Sequence, residues 1–118
     1  MLWGKLCFLA PFALTTTASR GTLGAVRSDA SWHSRLKACV TEACSVAIAE
    51  GARLAPQPIL AALEGAPDAQ RSSMQKDVAA GRRPELDAIA GPILRGGKEH
   101  GIDVPATWVL VDHIARAI

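Results

Sequence analysis

Apolar residues recur along this chain with the period of α-helices. The clearest example is the segment from about Ala30 to Glu50, where apolar side chains return at steps of three and four residues. Such spacing places them on one face of a helix that packs against a core. The polar residues of this helix are expected to face solvent, namely His33, Arg35, Lys37 and Glu42. No strand-like alternation of any length is present, so the pattern predicts an all-α fold.

The opening segment, residues 1–19, is apolar on nearly every side, which is typical of a helix at the centre of a fold. The same segment imitates a secretory signal peptide, because Lys5 precedes an apolar run from Leu6 to Leu14 and small residues follow it. Pro11 inside this short run favours the domain helix. The run is also shorter than the roughly 20 residues of a membrane span. A small secreted helical protein is the alternative that this segment leaves open.

Lys5 is the charged residue of this opening segment. A lysine beside a central helix can be partly desolvated, and it can then donate a proton near neutral pH. The alternative is a lysine at a frayed first turn with its amine in water. The residues alone leave both interpretations open.

Turn signals delimit several of the other helices. Residues 20–29 form a glycine-bearing connection in which Ser28 or Asp29 can cap the helix that follows. A short helix is expected between Pro56 and Gly65, and a last helix after Pro105. The residues expected to pack the last helix against the core are Trp108, Val111, Ile114 or Ala115, and Ile118. About six helices in a single compact domain are therefore expected.

Residues 71–91 contain two helix starts and most of the polar chemistry of the chain. Ser72 and Gln75 have the spacing of a capping box, in which the serine oxygen accepts a backbone N–H and the glutamine side chain reaches back. One helix should therefore begin there. Gly81 is expected to end it, because glycine adopts the left-handed conformation at helix C-termini.

A second helix is expected to begin at Pro84 and to run to His100, with a bend at Pro92. Its first turn should hold acidic residues, which the helix dipole favours at that end: Glu85 and Asp87. The turn before it is basic. The side chains that together predict the wall of a polar pocket are Arg82, Arg83 and Ser73.

Composition and charge exclude several classes of protein. A chain of 118 residues corresponds to one domain. Its net charge of +2 comes from interspersed acidic and basic residues, so no nucleic-acid partner and no membrane surface are expected. The three cysteines form no C-x-x-C motif, and an odd number predicts reduced thiols in an intracellular protein. The three histidines lie far apart in the sequence, so no metal site is expected.

Four motifs give the chain a resemblance to a known family. They are S-S-M-x-x-D from Ser72, G-R-x-x-E-L-D-x-I-x-G from Gly81, H-G-I-x-V-P from His100 and W-x-K-L from Trp3. The chain resembles the C-terminal helical domain of ketopantoate reductase (2-dehydropantoate 2-reductase) over residues 1–118. The resemblance implies an all-α domain like the C-terminal domains of ketopantoate reductase and 6-phosphogluconate dehydrogenase-type reductases. An N-terminal NADP-binding Rossmann domain is expected to be absent, because no strand leads into a G-x-G-x-x-G motif.

The resemblance also implies a function. It is the substrate-binding and dimerisation domain of a cytoplasmic, NADPH-dependent oxidoreductase that reduces ketopantoate or a related 2-keto acid in pantothenate biosynthesis. Lys5 is implied to be the general acid, Glu85 to bind and position the substrate, and Ser73 and Arg82 to contact it. The residues that bind the cofactor are not identified, and NADPH would bind only with a Rossmann domain supplied in cis or in trans. The implied partners are a 2-keto acid, that domain and a second copy in a homodimer.

The chain departs from the family pattern because it contains no asparagine. The family's substrate-binding asparagines fall at Leu9, Ala13 and Ala90, so the resemblance leaves the substrate open. Without its cofactor domain the chain is expected to be inactive. A non-catalytic helical interaction module, or a remnant of an enzyme, is the alternative.

Overall fold

The computed structural model describes residues 2–118, which fold into seven α-helices with no strand among them. The helices are α1 (Trp3–Ser19), α2 (Leu23–Ser28), α3 (Ala30–Ala49), α4 (Pro56–Gly65), α5 (Ser73–Ala79), α6 (Leu86–His100) and α7 (Pro105–Ala117). The all-α prediction is confirmed. The helix beyond the expected six is α2, which forms within the predicted connection. Among residues 2–118, no helix combines the length and the apolar character needed to cross a membrane.

Helix α1 is the centre of the fold, because it packs against each of the other six helices. Its C-terminal half is buried on every side from Ala10 to Ala18. The buried hydroxyls of Thr15 and Thr16 donate to the carbonyls of Pro11 and Phe12 at 2.7 and 2.8 Å. These bonds satisfy polar atoms that would otherwise be costly inside a core. The prediction of a central opening helix is confirmed.

Helix α2 is held to the end of α4 by one arginine. The Arg27 guanidinium donates to the carbonyls of Leu63 and Ala66 at 2.6 and 2.7 Å, and it also pairs with Asp68. These carbonyls lie at the C-terminus of α4, where no further helical N–H is available to them. Arg27 thus caps α4 from a helix that the sequence pattern did not reveal.

Helix α3 forms the long wall of the core opposite α1. The Asp29 carboxylate caps it by accepting the Trp32 N–H at 3.0 Å, as one of the two proposed caps. Its buried residues are Leu36, Cys39, Val40, Ala43, Cys44, Val46 and Ala47. Cys44 adds to the stripe that the spacing predicted, whereas Glu50, expected at the end of that stripe, is exposed. Helix α6 approaches α3 closely at Gly96, where an added Cβ would lie 2.4 Å from a methyl carbon of Val46.

Helix α7 packs through a face that matches the predicted one only in part, since Ile114 is buried and Val111 is partly buried against the core. Its buried residues are Thr107, Leu110 and Ile114, whereas Trp108 and Ile118 are each 55% exposed. Glu42 of α3 determines this orientation in part, because its carboxylate accepts the N–H groups of Ala106 and Thr107 at 2.9 and 2.8 Å and the Thr107 hydroxyl at 2.7 Å. The expectations that Glu42 faces solvent and that Trp108 packs in the core are therefore wrong.

Candidate functional site

Lys5 lies near the N-terminus of α1 and is exposed. It lines an open recess of about 560 Å³ together with Trp3 and with residues 50–54, which follow the end of α3. In this chain the side chain therefore fits the solvated interpretation. Its exposure also leaves the amine free to meet a group outside residues 2–118.

Ser73 is the first residue of α5 and is exposed, whereas Ser72 beside it is only 2% exposed. The Ser72 hydroxyl oxygen accepts the Gln75 N–H at 3.1 Å and lies 2.8 Å from the Thr16 hydroxyl. Because Thr16 donates its own proton to Phe12, Ser72 donates to Thr16. The serine half of the predicted capping box is confirmed. The reciprocal half does not form, since the Gln75 side-chain oxygen has no hydrogen-bond partner.

Lys5 and the α5 start lie on the same side of α1. Lys5 and Thr16 are 11 positions apart in the sequence, and that separation corresponds to about three full helical turns and about 16 Å along the axis. Their side chains therefore leave α1 in nearly the same direction. Thr16 is the residue that sequence reasoning missed here. The run of three threonines, residues 15–17, is the sequence feature that could have indicated it. The same run also fits the small residues at the end of a signal peptide.

Arg82 and Glu85 lie at the turn between α5 and α6. Arg82 is exposed and its Nε donates to the Asp77 carboxylate at 3.0 Å. Glu85 is the N-cap residue of α6, with an exposed side chain that makes no capping bond. Helix α6 therefore begins at Leu86, two positions after the predicted Pro84, although Asp87 does lie in the first turn.

The structure does not bring Lys5 and Glu85 into contact. No ion pair joins them within residues 2–118. Glu85 precedes the N-terminal end of α6. The opposite end of α6 is the one that approaches the Lys5 recess, because His100 lies 3.3 Å from Glu50, a residue that lines the recess. Helix α6 is about 22 Å long, so Glu85 lies about that distance from the His100 end of the helix.

Two of the three positions matched to family asparagines are buried among apolar side chains. Ala13 and Ala90 are 2% and 1% exposed and belong to one hydrophobic cluster with Leu14, Met74 and Leu110. An amide there would need hydrogen-bond partners that this cluster does not supply. Leu9 is partly exposed.

One set of side chains within residues 2–118 has the geometry of a metal-binding group. The ligand atoms of Glu50, Glu99 and His100 lie within 4.8 Å of one another, and all three residues are exposed. The Glu50–His100 contact accounts for two of them as an ion pair. This set was not recognised in the sequence, where Glu50 is distant from the other two.

The cysteines are all buried and unpaired. Burial raises the pKa of the Cys39 thiol from 9.0 to about 12, with the Thr107 hydroxyl hydrogen-bonded beside it at 3.5 Å. A thiol in such a place is a poor nucleophile, because the thiolate is the reactive form.

Comparison with known proteins covers the chain from end to end. A family profile described as "Ketopantoate reductase PanE/ApbA C terminal" matches residues 1–117. The 2-dehydropantoate 2-reductase of Mycobacterium tuberculosis (strain H37Rv) is 34% identical over 118 residues, which cover 98% of this chain and 39% of that protein. The 2-dehydropantoate 2-reductase of Caulobacter vibrioides is 39% identical over 79 residues, which cover 64% of this chain and 27% of that protein. The chain thus spans less than half the length of these relatives.

Solved structures agree with this match. Dimeric ketopantoate reductase from Staphylococcus aureus superimposes with a TM-score of 0.89 at 25% identity, covering 98% of this chain and 42% of that one. The PanE/ApbA family ketopantoate reductase from Ralstonia eutropha JMP134 gives a TM-score of 0.89 at 27% identity, covering 98% of this chain and 40% of that one. Together with the profile match, these likenesses show that the chain belongs to the family of ketopantoate reductase C-terminal domains.

Proposed function

We propose that this chain is the substrate-binding and dimerisation domain of a 2-keto-acid reductase that acts on ketopantoate or a close analogue. The observation that carries the proposal is the continuous family match over residues 1–117. The relatives named above are 2-dehydropantoate 2-reductases, and the one from Staphylococcus aureus is a dimer.

Lys5 is proposed as the general acid and Ser73 as a substrate contact. Both are exposed, and both lie on the side of α1 that the Thr16–Ser72 bond marks. Reduction of a keto group needs a proton at the carbonyl oxygen, and a lysine ammonium can supply it. The buried Ser72–Thr16 bond fixes the backbone beside Ser73, so the Ser73 hydroxyl starts from a defined position.

Glu85 and Arg82 are proposed to bind the substrate from the α5–α6 turn. Arg82 offers a planar set of donors suited to a carboxylate, although in this chain Asp77 already occupies its Nε. Glu85 makes no capping bond, so its carboxylate can accept a substrate hydroxyl.

Hydride transfer requires a cofactor, and residues 2–118 are not suited to hold one. They contain no strand, whereas a dinucleotide site of the Rossmann type is built on a βαβ unit. NADPH is therefore proposed to bind a separate nucleotide-binding domain, in the same polypeptide or in a partner, and the isolated chain is proposed to be inactive. Exposed Lys5 would meet the cofactor across the boundary between the two domains.

The buried alanines bear on the choice of substrate. Because Ala13 and Ala90 replace the amides, neither position can form a hydrogen bond with a substrate hydroxyl. Such hydrogen bonds give an enzyme most of its selectivity for a hydroxylated substrate over one without the hydroxyl. A 2-keto acid with fewer hydroxyl groups than ketopantoate should therefore be reduced comparably well.

A reconstitution assay tests the proposal. The chain is mixed with the nucleotide-binding domain of the Mycobacterium tuberculosis relative, and NADPH oxidation is followed with ketopantoate and with unhydroxylated 2-keto acids. We predict that Lys5→Met lowers kcat by at least about 100-fold. The matched control is Lys37→Met, which removes an exposed lysine of α3.

Three results would contradict the proposal. Turnover by the isolated chain would show that no separate cofactor domain is needed. Equal activity of Lys5→Met and Lys37→Met would remove Lys5 from the chemistry. Binding of the nucleotide-binding domain without any turnover would favour the second candidate, a non-catalytic helical module. The lack of contact between Lys5 and Glu85 is the observation that keeps this candidate open.

A further inference from the structure

Helices α3 and α6 end side by side at one edge of the fold. The two helices approach closely at Gly96, where an added Cβ would lie 3.8 Å from Oε1 of Glu50. This approach brings together Glu50, the C-cap residue of α3, with Glu99 and His100, the last two residues of α6. We call these three residues the α3/α6 cluster.

The side chains of the α3/α6 cluster have the separations that a small metal ion requires. Their ligand atoms lie within 4.8 Å of one another, and Nε2 of His100 lies 3.3 Å from Oε2 of Glu50. These two side chains are only 28% and 34% exposed, so their neighbours restrict them. Because nitrogen and carboxylate ligands bind Zn²⁺ at about 2.0–2.2 Å, the ligand atoms of such a site lie roughly 3–4 Å apart. Small rotations of the three side chains provide that spacing.

The negative charge of the cluster is not balanced by a neighbouring side chain. Arg95 lies one turn before Glu99 on α6, but it pairs with Asp87 instead. Within residues 2–118, Glu99 forms no ion pair and His100 is the one ion-pair partner of Glu50. Two carboxylates therefore share a single imidazole, and a divalent cation between them would relieve their repulsion.

The recess beside the cluster contains two further cations that do not supply this charge. Lys5 and Arg53 line the recess together with Glu50. Neither of them forms an ion pair in the part of the chain that the structure describes. No lysine or arginine there pairs with either carboxylate of the cluster.

The two acidic residues lie where helix energetics disfavour them. A helix C-terminus carries partial negative charge, so carboxylates are unfavourable there and cations are favourable. Glu50 and Glu99 both lie at such ends. Residues that break a local rule of this kind are expected at functional sites. A bound cation removes both conflicts, because it attracts the two carboxylates and the two helix ends alike.

The donor atoms of the cluster indicate which metal it would bind. Mg²⁺ and Ca²⁺ are bound by oxygen ligands, whereas the α3/α6 cluster includes an imidazole nitrogen. Zn²⁺ accepts histidine nitrogen together with glutamate oxygen, and three protein ligands leave its fourth position to water. The imidazole thus distinguishes this cluster from an ordinary group of acidic side chains.

We propose that Glu50, Glu99 and His100 bind one Zn²⁺ ion, which holds the ends of α3 and α6 together. Water completes the coordination of the ion. The site does not depend on the reductase function proposed above, because none of its three residues is assigned a role in substrate binding or proton transfer.

Isothermal titration calorimetry of the metal-free chain with Zn²⁺ tests the site, and one ion should bind per chain. His100→Ala and Glu99→Gln should each raise the dissociation constant at least about tenfold, the loss that even the outer partners of a metal ligand cause. The matched control is His33→Ala. His33 pairs with Glu64 as His100 does with Glu50, but no third ligand joins that pair within residues 2–118.

Thermal unfolding provides a second readout. Zn²⁺ should raise the Tm of the unmodified chain, because a ligand that binds only the folded state stabilises it, and Mg²⁺ at the same concentration should not. Zn²⁺ should leave the Tm of Glu99→Gln unchanged. With a chelator in place of the metal, Glu99→Gln and the unmodified chain should unfold at the same temperature.

Cobalt distinguishes the α3/α6 cluster from the three cysteines. Co²⁺ bound by nitrogen and oxygen should show weak visible bands without the strong near-ultraviolet band that a thiolate ligand produces. A sulfur-to-cobalt band would place the metal on cysteine and overturn the proposal. So would a chain that binds no Zn²⁺, or equal affinities of His100→Ala and His33→Ala, because the cluster would then be an ion pair beside an exposed acid.

Discussion

Glu42 is a single side chain that organises a whole helix end. Its carboxylate accepts hydrogen bonds from two backbone N–H groups and from the Thr107 hydroxyl at the start of α7. A negative charge at a helix N-terminus is also favoured by the helix dipole. We predict that Glu42→Ala lowers the free energy of unfolding by about 1–3 kcal/mol, measured by urea denaturation, because it leaves these donors unpaired.

The control for this prediction is Glu99→Ala. Glu99 is exposed on α6 and forms no ion pair within residues 2–118. Its removal should change stability by less than about 0.5 kcal/mol. If the two substitutions changed the free energy of unfolding equally, the hydrogen bonds of Glu42 to α7 would not contribute to stability.

Cys39 should make stability depend on pH in alkaline solution. Burial raises the pKa of its thiol from 9.0 to about 12, whereas the unfolded thiol ionises near 9.0. The stabilisation is therefore complete below pH 9 and is lost as pH rises towards 12, at up to about 1.4 kcal/mol per pH unit. Urea denaturation at a series of alkaline pH values measures the slope.

Cys39→Ala isolates the contribution of this thiol. The variant should be less stable at neutral pH because it leaves a small cavity, but its stability should fall less steeply above pH 9. An unchanged slope would assign the alkaline loss to other groups.

The packing of α3 against α6 depends on one glycine. A Cβ on Gly96 would lie 2.4 Å from a methyl carbon of Val46, and a buried valine in a helix has little rotamer freedom with which to yield. We predict that Gly96→Ala lowers the free energy of unfolding by about 1–3 kcal/mol, measured by thermal or urea denaturation.

Gly4→Ala provides the comparison within α1. No atom lies within 4 Å of a Cβ at Gly4, so alanine should be neutral or slightly stabilising through its higher helix propensity. If Gly96→Ala proved as harmless as Gly4→Ala, the close contact of α3 and α6 would not exist in solution.

The helices differ in how well sequence specifies them. Helix α3 has one apolar stripe, and periodicity therefore identified its buried face. Helix α7 has two neighbouring stripes that share Ile114. The first contains Trp108, Val111 and Ile118, the second contains Thr107 and Leu110, and periodicity cannot decide which of them is buried. The Glu42 cap and the packing of Leu110 favour the second stripe. Helix α2 has six residues, too few for a periodic signal, and Arg27 stabilises it through contacts that are distant in sequence.

The sequence predicted the residues of the candidate site only as separate motifs, without showing how they come together. The spacing within residues 71–91 predicted the α5 cap and the Arg82 turn, because both are local. Spacing could not show that Ser72 meets Thr16, since 56 positions separate them. Nor could it show that the C-terminal end of α6, rather than Glu85, approaches the Lys5 recess. The meeting of Lys5 with Glu85 across a substrate stays a prediction.

The whole molecule is built around its first helix. All six later helices pack on α1, yet the last of them, α7, is synthesised about 90 residues after it. During translation α1 therefore leaves the ribosome with apolar groups on several sides and without the surfaces that will cover them. Such a nascent segment is an expected client of ribosome-associated chaperones. Its exposure lasts until α7 has emerged.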